Sequence, residues 1–187
     1  MRVPPPRDSQ AALRQYQEDL QTEFPRLRFV DKCDDRFSKL LDFLVRVVTA
    51  GSQSRYTTGY VTTIGRTIYL PTSWAGRDPI DQLITLRHEA VHLRQFERYG
   101  LVGMSFLYLI PFFPLGLAYG RARIEWEAYE ETLVATAELW GNGAAHDPAL
   151  RERIVRQFVT GAYGWMWPFA GQIHRWIDEA LARIDES

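Results

Sequence analysis

The sequence predicts an α+β fold, mostly helical, with one small antiparallel sheet ahead of its central helix. Three observations predict it. Apolar residues recur at helical spacing over most of the 187 residues. One stretch, residues 56–70, is instead rich in Thr, Val, Ile and Tyr and carries Gly65 in its middle. Directly after it, Asp78-Pro79 has the form of a helix N-cap followed by proline at the first helical position.

The elements follow in order. Residues 1–10, with Pro4, Pro5 and Pro6 and no apolar core, read as a flexible arm and not as a secretory signal. Residues 11–187 read as a single domain. Ala12, Tyr16 and Leu20 give helical spacing over residues 9–24, and Pro25 stops it. Residues 27–30 suit a short strand. Asp34 or Asp35 then caps an apolar helix at 37–49, closed by Gly51. Gly65 and Arg66 fit a two-residue hairpin turn, which needs a positive φ at its first position. A long helix runs from Pro79 to about Tyr99, where Gly100 ends it. Further helices are expected at 121–140, closed by Gly141-Asn142-Gly143, at 148–160 behind Asp147-Pro148, and near 172–183.

Composition narrows the function. The net charge is −1 and basic residues are scattered, apart from Arg26, Arg28 and Lys32, so no field points to nucleic acid. One cysteine, Cys33, forms no internal disulfide, which suits a reducing, cytoplasmic setting. The informative stretch is His88-Glu89-Ala90-Val91-His92, mid-way along the long helix. Residues four apart lie on one helical face, so two imidazoles there can hold one Zn2+. Glu89 sits about 100° round the helix from His88. It reaches a water at the metal without ligating the metal itself, and zinc lowers the pKa of such a water to ~7.

This HEAVH helix, the strand before it and a later helix with Glu-x-Glu-Ala resemble the zincin metallopeptidases, over roughly residues 59–140. Among these the chain is similar to gluzincins, in which a glutamate on a second helix is the third ligand. The resemblance implies peptide-bond hydrolysis on a peptide or protein substrate, with Glu89 as general base. It offers two registers for the third ligand. A Glu-x-x-Ala register selects Glu125, and a Glu-x-x-x-acid register selects Glu127 with Glu131 behind it. Residues 125 and 127 point about 200° apart on one helix. Glu125 shares its face with Ala128, Thr132 and Ala135, whereas Glu127 shares its face with Glu130, Glu131 and Glu138. The small face selects Glu125. Tyr129 then stands where the family carries an acid, so the partner of the ligand histidines is left without a candidate. There is no third histidine soon after His92; His146 and His174 lie far beyond it.

The resemblance also implies an edge strand that pairs with extended substrate, for which 67–71 is the candidate. Tyr119, Tyr129 and His174 are candidates for stabilising the transition state. The uncharged run 99–120 has the length of a membrane span. A single crossing would put His88 and His92 on one side and Glu125 on the other, and Pro111, Pro114, Gly116 and Gly120 break a continuous helix. The run therefore folds back as core, as an oligomer interface or as a membrane-surface hairpin, with the aromatic stretch 163–169 as a second interfacial patch. Two alternatives stand beside the peptidase: a non-catalytic binding protein stabilised by zinc, and a peptidase held at a membrane surface.

Overall fold

A computed structural model of the chain describes residues 8–32, 60–109, 118–160 and 166–187. The arm before Asp8, Cys33, the helix expected at 37–49 and the Pro111-to-Gly116 turn lie outside these residues, as do positions 163–165 of the aromatic stretch. The class is α+β: mostly helical, with a three-stranded mixed sheet. The described residues group into two compact units, Ser9–Gly100 and Leu101–Ser187.

In the first unit, helix α1 (Ser9–Glu23) includes Ser9 and Gln10, which the sequence assigned to the arm, and buries Leu13 and Leu20. The Phe24 amide bonds back to the Leu20 carbonyl, and Pro25 cannot continue the ladder. Strands β1 (Arg28–Asp31), β2 (Thr62–Ile64) and β3 (Thr67–Leu70) follow. The hairpin β2–β3 is antiparallel, with Ile64 opposite Thr67 and a two-residue turn whose Gly65 has φ 59°. The sheet is not purely antiparallel, because β1 pairs in parallel along the other edge of β3. Order β1-β3-β2 puts β3 at the centre. Ile68 is fully buried, and Thr63 lies opposite it in the register. Lys32, just past β1, is buried and tied to the start of β2: its ammonium donates to the Tyr60 carbonyl at 2.7 Å and to Thr62 Oγ1 at 2.9 Å.

Helix α2 (Pro79–Leu109) begins as the sequence predicts. Asp78 Oδ1 accepts from the Ile80 amide at 2.8 Å, and Pro79 lacks the N–H that would otherwise be orphaned. Gln82 donates to the Trp74 and Arg77 carbonyls of the preceding 3₁₀ turn (Trp74–Gly76). Ile80, Leu83, Leu86, Ala90 and Leu93 recur every three or four residues and are buried. Removal of any one of these large side chains costs about 2–5 kcal/mol. At Gly100 the backbone leaves helical geometry (φ 67°, ψ 173°), where glycine alone avoids a steric penalty. Arg94 grips Glu23 through both carboxylate oxygens, at 2.8 and 2.9 Å, and ties α2 to the end of α1.

The second unit is helical. After the end of α2 come α3 (Tyr119–Trp140), α4 (Asn142–Ala145), α5 (Pro148–Val159) and α6 (Ala170–Asp185). Gly141, at φ 86°, ends α3, and the short helix α4 begins within the Gly141-Asn142-Gly143 stretch that closes it. Asp147 caps α5 by accepting from the Ala149 amide at 2.8 Å. Trp126, Leu133, Ile154, Phe158, Ile173 and Leu181 belong to one buried cluster. Gly120 lies so close to Leu107 that an added Cβ would stand 3.2 Å from its carbonyl oxygen. Leu101, Val102 and Phe106 are exposed on the last turns of α2. Among the described residues no helix is long and apolar enough to cross a membrane.

Candidate metal centre

The central turns of α2 carry His88, Glu89 and His92. The two imidazoles sit one helical turn apart, with ring centroids 5.1 Å from each other and planes at 76°. Edge-on rings do not stack, so their nitrogens are able to converge on one point. His92 is buried and its Nδ1 lies 2.9 Å from Gln95 Oε1. A carbonyl oxygen only accepts, so the contact places an N–H on Nδ1, and Nε2 is the ring nitrogen that could face a metal. Gln95, itself 3% exposed, is thus the fixed partner of this ring. It fills the role for which the sequence, searched on the glutamate helix, offered no acid.

Glu89 is 5% exposed, and its Oε2 accepts from Thr63 Oγ1 on β2 at 2.7 Å. A carboxylate this deeply buried needs such donors. On α3, Glu125 is 3% exposed, among Ala122, Ile124 and Ala128, while Glu127 and Glu131 keep partial exposure. Among the described residues His88, His92 and Glu125 form a group whose ligand atoms all lie within 4.8 Å of one another.

The donor set fits zinc. Two imidazoles and one carboxylate are nitrogen and oxygen donors that zinc accepts, and among the described residues they make the three-ligand pattern of a catalytic site. The candidates outside the group are engaged elsewhere. His146 Nε2 pairs with Asp185 at 3.1 Å, and the charge of His174 acts on Asp178. The Tyr119 ring packs on Trp167 at 5.1 Å, and Tyr129 packs on Phe158 at 5.5 Å.

One expectation is overturned. Residues 67–71 do not offer an edge to substrate, because β3 is hydrogen-bonded to β1 on one side and to β2 on the other. The outer strands of the described sheet are β1 and β2. Sequence reasoning also missed Thr63 and Gln95. Gln95 had a signal, since three positions after His92 is the same helical face. Thr63 had none beyond its place in a strand.

No family model matches the chain, and neither a curated protein nor a solved structure matches it.

Proposed function

We propose that the chain is a zinc-dependent metallopeptidase that hydrolyses peptide bonds, with His88, His92 and Glu125 as ligands and Glu89 as general base. The observation that carries this reading is a buried glutamate held by a hydroxyl beside two histidines one helical turn apart. When bound, zinc supplies a Lewis acid and a water acidified to ~7. Gln95 holds the His92 ring in the tautomer that presents Nε2. Glu89 accepts the proton of the attacking water and passes it to the leaving amine. An extended substrate would lie along β2, the outer strand that carries Thr63, with backbone pairing as the source of affinity.

The alternative of a zinc site that only stabilises a binding protein is less well supported. Structural zinc takes four protein ligands, and the group found among the described residues has three. The exposed Leu101, Val102 and Phe106 favour the membrane-surface form of the peptidase reading. The lone cysteine favours the cytoplasm as its compartment.

The test is metal content and peptide cleavage on the full chain. Wild type is expected to bind zinc near 1:1. His88→Ala, His92→Ala and Glu125→Ala should bind it far more weakly, and Glu127→Ala should match wild type. Glu89→Gln should keep zinc and lose cleavage of a quenched peptide library by about 10²-fold or more. A wild type that takes up no zinc on titration overturns the metal site. Equal cleavage by wild type and Glu89→Gln overturns the role of Glu89.

A further inference from the structure

The hydrogen bond from Thr63 to Glu89 joins a strand to the helix that carries the chemistry. Its geometry is fixed from several sides. Thr63 is β-branched, so its χ1 has few choices in a strand. Its place in the strand is set by the two-residue turn at Gly65 and by pairing with Ile68, which is fully buried. The neighbouring Thr62 is held by the buried ammonium of Lys32, which also takes the Tyr60 carbonyl. Strand β2 is therefore anchored on both sides of Thr63, and the hydroxyl is delivered to Glu89 Oε2 at 2.7 Å.

A glutamate has three side-chain torsions, and its carboxylate turns freely about the last of them unless something holds it. A donor on Oε2 sets the plane of that carboxylate and the direction in which Oε1 points. We infer that Thr63 is a positioning residue for the general base: it orients the Glu89 carboxylate towards the reacting water. The inference rests on the proposed function. It goes beyond it by placing control of the base on the strand proposed to carry substrate. The same short strand would then align the peptide with its backbone and aim the base with its side chain.

The experiment compares Thr63→Val, which keeps shape and loses the hydroxyl, with Thr63→Ser, which keeps the hydroxyl. Three quantities are read on the full chain: zinc affinity by chelator competition, affinity of the zinc-loaded protein for acetohydroxamate, and kcat and KM on a cleaved library peptide. Acetohydroxamate carries two adjacent oxygen donors and an acidic O–H that needs an acceptor beside the metal, so it reports the aim of Glu89 without turnover. Thr63→Val is expected to hold zinc like wild type, to bind acetohydroxamate about 10-fold more weakly, and to lose about 10- to 100-fold in kcat with little change in KM. Thr63→Ser should restore the acetohydroxamate affinity and kcat. Where Thr63→Val fails to fold, Thr63→Ala replaces it. Wild-type acetohydroxamate affinity and kcat in the hydroxyl-less variant overturn the inference while the peptidase reading stands. A wild type that binds zinc but no acetohydroxamate has no open metal position, which sinks the peptidase reading and the inference together.

Discussion

Gln95 sits three residues after His92, and its oxygen lies 2.9 Å from the ring nitrogen that faces away from the ligand position. An amide in that place fixes the tautomer without adding charge, where a carboxylate would also make the imidazole a stronger donor. Gln95→Leu should therefore lower zinc affinity by about 10- to 100-fold, with the helix intact by circular dichroism. Gln95→Glu should bind zinc at least as tightly as wild type. Chelator competition reads both, and an unchanged affinity in Gln95→Leu would show that something other than this amide sets the ring. The same scale shows how far the site was legible. His88, Glu89 and His92 declare themselves by spacing, because the period of a helix is local information. Glu125 was separable from Glu127 by its small and apolar neighbours, and it is buried. Thr63 was not legible, because its partner is 26 residues away and only the fold brings the two together.

Among the elements, α5 and α6 are joined at the surface by an ion pair between Arg151 and Asp178. The Arg151 guanidinium hydrogen-bonds the Asp178 carboxylate and holds it below the usual carboxylate range, with its charge and that of His174 acting in the same direction. The folded form thus binds this proton less readily than the unfolded chain. The stabilisation is full above the ordinary aspartate value and is lost as pH falls through the lowered one. Exposed pairs of this kind contribute roughly 0.2–1 kcal/mol. Asp178→Asn should melt slightly earlier than wild type at neutral pH in calorimetry, and the gap should close only in strong acid. A gap that persists in strong acid would assign the effect to packing and not to charge. Element ends were well read where a side chain marks them, as with Asp78 and Asp147 at helix starts. Strand β1 was read in place but not in pairing, since nothing in residues 28–31 states which strand they will join, or in which direction.

Across the whole molecule, the long uncharged run posed the main question. The described part of it is helix up to Leu109, with Leu101, Val102 and Phe106 facing outwards. On the membrane-surface form of the proposed reading, this exposed apolar turn would be the contact. The chain should float with phospholipid vesicles in a density gradient, and Val102→Asp with Phe106→Asp should leave it at the bottom. Wild type that stays at the bottom would remove the membrane from the reading. The parallel pairing of β1 with β3 has a consequence of another kind, in time. Its partners Arg28 and Thr67 stand 39 positions apart, whereas α3, α4 and α5 follow one another through connections of one or two residues. Contacts between distant positions form late, because the intervening chain must be closed before they repay its lost freedom. On the ribosome, residues 9–100 emerge first yet hold the slower step. The hairpin that presents Thr63 can form within microseconds of leaving the exit tunnel. The strand that completes the described sheet waits for a longer search, and the sheet that carries Thr63 is finished late in folding.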